Sequence, residues 1–140
     1  MAIKPSKPSL QKVRRKREGW ISAIDGPAGV GKSTIGSLVA KKLGYRFINT
    51  GEMYRALTWK VLEVGLDIES ENAITELAKS LKWDFRTNDD GVIIRTYING
   101  ESVGSKIREE RVGRFSSRVA GIVGVRRRLR ALQRRLGRNG

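Results

Sequence analysis

Apolar positions set the rhythm of this chain. Ile35, Leu38, Val39 and Leu43 fall at helical spacing on one face, and Gly44 is placed to stop that helix. Just before it, Trp20, Ile21, Ala23 and Ile24 make a short apolar run suited to a buried strand. The rhythm then repeats. Arg46-Phe47-Ile48-Asn49 reads as a second strand, and Met53, Leu57, Val61 and Val64 line one face of a helix over residues 51–64, with Asn49 or Thr50 as cap and Gly65 as stop. Ser70 is positioned to cap a third helix reaching residue 81, whose buried face would hold Ala73, Ile74, Leu77, Ala78 and Leu81. At Trp83 the period changes. Trp83-Asp84-Phe85-Arg86 alternates, Asn88-Asp89-Asp90-Gly91 is turn chemistry, residues 92–98 are rich in β-branched side chains, and Asn99-Gly100 marks a tight turn. Helical spacing returns over residues 108–120, weakened by Gly113, and over 122–137, where Ile122, Val125, Leu129, Leu132 and Leu136 form a stripe.

Strand and helix in alternation predict an α/β fold with a parallel sheet and helices on both faces, interrupted by a small antiparallel insertion. Four segments follow: a basic, disordered arm over 1–18, a core over 19–65, the insertion over 66–104, and a helical return to the core over 105–140. A fold of this kind usually takes more chain than 140 residues, so its C-terminal part is expected to be missing.

Composition narrows the chemistry. The chain has no cysteine and no histidine, which excludes disulfides, cysteine metal sites and histidine-based nucleophilic catalysis. No apolar stretch has the length of a membrane span or signal-peptide core, so a cytoplasmic protein is expected. The net charge of +15 is concentrated at the two ends: residues 1–18 carry +6, residues 105–140 carry +10, and the middle is close to neutral. Nucleic acid is therefore one conceivable partner, but no aromatic residue lies within the basic runs to stack on bases.

The segment between the first strand and helix carries the clearest motif. Gly26-Pro27-Ala28-Gly29-Val30-Gly31-Lys32-Ser33 fits the Walker A pattern, with Thr34 following. Its glycines lack a Cβ, so the backbone can curl tightly and turn its N–H groups toward phosphate oxygens. Those donors sit where a helix begins, at the positive end of its dipole. Lys32 offers a mobile charge to the β- and γ-phosphates, and the Ser33 hydroxyl suits a Mg²⁺ bridging them. ATP with Mg²⁺ is the expected ligand.

A second constellation, Thr50-Gly51-Glu52-Met53-Tyr54-Arg55, falls where the second strand ends and its helix begins. Ligands of open parallel sheets collect at the carboxyl ends of strands, so this loop should face the same crevice as the glycine segment. A hydroxyl, an amphipathic ring and a guanidinium fork there point to a second phosphorylated ligand.

AIDGPAGVGKST followed by NTGEMYRAL resembles the cytidylate kinases, and YINGESV, KIREERV and FSSRVAGIVGVRRRLRALQRRL agree with that family in order and spacing. The likeness runs over residues 20–138. It implies a P-loop NTPase fold of the nucleoside monophosphate kinase type, a monomer that moves the ATP γ-phosphoryl to CMP or dCMP. Residues 66–104 would be the family's insertion in the monophosphate-binding region. Thr50 and Arg55 would contact the monophosphate with Tyr54 close by, Ser117 would lie by the base, and Arg126 on the acceptor phosphate, with Arg108 a weaker candidate. Lys32 would be the catalytic cation. Asn49 departs from the aspartate common there, and the family's later glycine-arginine-aspartate segment and arginine-bearing lid are not in this sequence. A truncated, inactive form is accordingly expected. The competing readings are another P-loop small-molecule kinase, of shikimate or adenylate type, and a basic nucleic-acid-binding module with a vestigial P-loop.

Overall fold

The computed structural model describes residues 2–3, 21–22, 32–89 and 91–139. The strand residues Trp20, Ala23 and Ile24, the arm over 4–18 and the glycine segment Gly26 to Gly31 lie outside the described residues. The side chains described in the first helix begin at Leu38. Two compact units divide the chain: one gathers Met1–Asn49, Thr87–Ile94 and Gln133–Gly140, the other Thr50–Arg86 and Arg95–Leu132.

In the first unit, β1 (Ala2–Ile3) pairs antiparallel both with β2 (Ile21–Ser22) and with β3 (Arg46–Ile48). Of the arm expected over 1–18, only Ala2 and Ile3 are described, and both are strand. The pair Ala2-Ile3 is too short to show a period, and its strand character comes from backbone pairing on both sides. The described sheet is mixed, because β3 runs parallel to β5 (Ile93–Ile98), with Phe47 opposite Ile93 and Ile48 opposite Ile94.

Helix α1 (Lys32–Leu43) precedes β3 and ends at Gly44, whose φ of +77° only glycine adopts without strain. The Tyr45 N–H returns to the Ala40 carbonyl at 2.7 Å, turning the chain straight into the strand. Ala40, Tyr45 and Phe47 form a buried cluster with Leu43 and Val92 against it. Of the predicted face, Leu43 packs on this cluster whereas Leu38 is 60% exposed and Val39 42%; the Ile35 side chain lies outside those described.

The second unit is organised by α2 (Thr50–Val64), which packs on α3 (Glu71–Ser80), on a 3-10 turn (Lys106–Arg108) and on α4 (Glu110–Ala120). Met53, Leu57 and Val61 are wholly buried, as the spacing predicts, Ala56 is buried beside them, and Val64 at the last position is exposed. The buried Thr58 hydroxyl donates to the Tyr54 carbonyl at 2.8 Å and so costs little. Ser70 caps α3 as read, its Oγ accepting from the Ala73 N–H.

The alternating stretch forms β4 (Trp83–Thr87), β5 and β6 (Glu101–Ser102), with β6 antiparallel to β5. Asn99 and Gly100 both take positive φ, +52° and +82°, the signature of a two-residue hairpin turn matched to strand twist. Asn99 also closes the other side of the hairpin: its N–H donates to the Lys82 carbonyl and its Oδ1 accepts the Lys82 N–H.

The helix expected over 108–120 is broken. Residues 106–108 are 3-10, Glu109 is extended with ψ of 144°, and α4 starts only at Glu110. Last comes α5 (Val123–Asn139), on which Ile122 just before it and Val125, Leu129 and Leu132 within it are buried, with Leu136 half-buried.

Candidate functional site

Of the segment expected to bind a triphosphate, only the helix is described. Gly26, Pro27, Ala28, Gly29, Val30 and Gly31 lie outside the described residues, and so do the side chains of Lys32, Ser33 and Thr34. The backbone nevertheless begins α1 at Lys32, directly after the glycine segment. The helix's free N–H groups are therefore presented at that end, the geometry an anion requires. Among the described residues, no group of three acidic side chains could hold a metal by itself.

The second constellation is built on α2. Thr50 is the first residue of the helix and half-buried, and Tyr54 and Arg55 follow one turn later. Arg55 Nη1 donates to the Ile107 carbonyl at 3.4 Å, and the same nitrogen passes over Gly113, where a Cβ would lie 4.0 Å away.

Burial pushes the Tyr54 phenol above the ordinary tyrosine range, while the positive charges of Arg126 and Arg130 on α5 pull it down. The NTGEMYR segment from Thr50 onward and the arginine run at 126–130 belong to the same compact unit. Ser117 is exposed on α4, with its carbonyl accepting the Gly121 N–H at 3.2 Å; Arg108 is exposed at the end of the 3-10 turn. No described bond links either of these two to Thr50, Tyr54 or Arg55.

The sequence reading missed Glu52. Its carboxylate is only 6% exposed, with Oε2 accepting the Thr96 N–H at 3.0 Å and Oε1 the Arg95 Nη1 at 3.1 Å. One face of α2 carries Glu52, Ala56 and Trp59, all buried, and a charge on that apolar stripe was the available signal. It fastens the first turn of α2 to β5, and Thr50 and Tyr54 stand on either side of it.

A family model for cytidylate kinase matches residues 22–140. The chain belongs to the cytidylate kinase family. Among curated cytidylate kinases, that of Clostridioides difficile (strain 630) is 40% identical over 117 residues, covering 84% of this chain and 51% of the relative. The enzyme of Geobacillus sp. (strain WCH70) is 41% identical over 118 residues, covering 84% and 52%. A bifunctional pantoate ligase/cytidylate kinase from Thermosynechococcus vestitus is 42% identical over 120 residues, 86% of this chain and 23% of that larger protein. The chain spans about half the length of the cytidylate kinases it matches. The α/β elements described above accord with a partial nucleoside monophosphate kinase fold of the P-loop class. No helix among the described residues is long and apolar enough to cross a membrane.

Proposed function

We propose that this chain supplies the phosphate-binding parts of a kinase that transfers the γ-phosphoryl group of ATP to CMP or dCMP, as a cytoplasmic monomer. The reading is supported above all by the family-model match over residues 22–140, which takes in the glycine segment, the NTGEMYR segment and the arginine run. The comparisons lend nothing to a shikimate- or adenylate-type kinase or to a nucleic-acid module.

The chemistry asks little of side-chain bases. A phosphomonoester's second pKa is about 6, so the acceptor oxygen is already largely deprotonated at neutral pH, and a chain without histidine loses nothing. Catalysis then consists of holding two phosphates in line and balancing charge on the group in flight. Lys32 does the second, with the N–H groups opening α1 and the glycine segment Gly26 to Gly31. Ser33 would hold Mg²⁺, which would supply positive charge to balance the phosphates, and Thr34 would complete the cradle. Thr50, Tyr54, Arg55 and Arg126 take the acceptor phosphate, and Ser117 faces toward the base.

Calorimetry on the 140-residue chain tests this. Lys32→Ala is expected to weaken MgATP binding by about tenfold or more, the loss of a charge-assisted contact, while leaving CMP affinity in place. Unchanged MgATP affinity would overturn the role of the cradle. In a panel of CMP, dCMP, AMP, UMP and shikimate, the cytidine nucleotides should bind most tightly.

A further inference from the structure

Two residues one turn apart on α2 hold two consecutive residues of the 3-10 turn, all within the second unit. Arg55 Nη1 donates to the Ile107 carbonyl at 3.4 Å. One turn further on, the buried Trp59 ring takes the Lys106 ammonium 4.8 Å from its centroid, and Lys106 is also ion-paired with Glu101 of β6. Positions i and i+4 lie on the same helix face, so both contacts fasten the turn to one stripe of α2. The turn itself is weakly built. It has three residues, and the Arg108 and Glu109 N–H groups reach their carbonyls only at 3.3 Å. A second ammonium, Lys60, lies over the same ring at 5.4 Å, but its ion pair, with Glu63 at 2.8 Å, stays within α2.

We infer that Lys106 is a positioning residue for Arg55: by holding the 3-10 turn on Trp59 it fixes the carbonyl that orients the guanidinium for the acceptor phosphate. The inference rests on the monophosphate-kinase reading above and adds Lys106, Trp59 and Glu101, to which the resemblance gives no role. A guanidinium is a rigid plane with five N–H donors. Once Nη1 is engaged by Ile107, the directions of the other donors are restricted while the charge stays available to an anion. A direction set before the ligand arrives spares the cost of ordering a long side chain on binding. The carbonyl is only as well placed as the turn that carries it. Lys106 is the side chain of that turn that joins α2 to the hairpin, and at 30% exposure its charge sits between a ring face and a carboxylate rather than in open water.

Titration calorimetry with CMP and with cytidine decides the matter, on the unaltered chain, on Lys106→Met, Lys106→Arg, Lys60→Met and Arg55→Gln, and on Arg55→Gln combined with Lys106→Met. Lys106→Met keeps the apolar stem and removes the charge; it should weaken CMP about fivefold and leave cytidine unchanged, the loss of one partly desolvated cation–π contact. Lys106→Arg should restore most of the affinity, since a guanidinium serves both the ring and Glu101. Lys60→Met takes the same charge from the same ring and should change CMP binding less than about twofold. In the Arg55→Gln background Lys106→Met should cost nothing more, because its effect runs through Arg55. Additive losses, equal effects of Lys106→Met and Lys60→Met, or equal weakening of CMP and cytidine would each overturn the inference. Should Lys106→Met lose its cooperative unfolding transition, Glu101→Gln takes its place, with CMP weakened about threefold and cytidine untouched; unchanged CMP affinity there overturns the inference as well. Strong CMP binding that survives Lys106→Met removes Lys106 alone. If the unaltered chain binds CMP no better than cytidine, the monophosphate reading itself falls and the inference with it.

Discussion

Helices α1 and α2 show the same kind of apolar periodicity, yet they meet different fates. In α2 the predicted face is the buried face: Met53, Leu57 and Val61 are wholly enclosed by α3, α4 and the 3-10 turn. In α1 the described apolar side chains Leu38 and Val39 stay largely in solvent, and the helix is held instead at Ala40 and Leu43 against Tyr45 and Phe47. Periodicity says which residues could share a surface; only the neighbours that arrive later in the chain decide whether the surface is covered. Three of them reach α2, all from later in the sequence.

The comparison can be broken most easily by paired truncations. Leu57→Ala should destabilise the chain by roughly 2–5 kcal/mol in denaturant unfolding, a transfer loss plus a cavity. Leu38→Ala should change it by less than about 0.5 kcal/mol, as for other exposed positions. Equal costs would mean the two helices are not differently embedded. A smaller effect is expected at Glu52→Ala, roughly 1–3 kcal/mol, because it leaves the Thr96 N–H buried without an acceptor. The exposed Arg95 can turn to water and should contribute little of that. An unfolding midpoint that does not move would show the carboxylate to be dispensable. Smallest is Ser70→Ala at about 1 kcal/mol, from loss of the cap on α3, read by unfolding and by faster amide exchange in that helix's first turn.

Legibility from sequence followed the same line. Local signals were read well: the Ser70 cap, the Gly44 and Gly65 stops with positive φ, and the Asn99-Gly100 turn are each determined by a few adjacent residues. What depends on distant partners was read less well. Nothing in Ala2-Ile3 announces a strand between two others, and nothing near Glu109 announces the extended residue that splits the expected helix. For the candidate site, Tyr54 and Arg126 were named from family motifs. Glu52 was not, since its role is noticed only once its burial is known.

Where α5 sets out, a Cβ on Gly124 would stand 2.5 Å from Thr75 Cγ2 and 2.7 Å from its Oγ1. A single hydrogen atom is therefore the spacer between α5 and α3 at that crossing. Adding one methyl group there forces Thr75 to turn or the helix to lift. In the second case the guanidinium groups suspended from the next two turns are re-aimed without being touched, so the reach of these arginines is gauged by a residue that has no side chain at all.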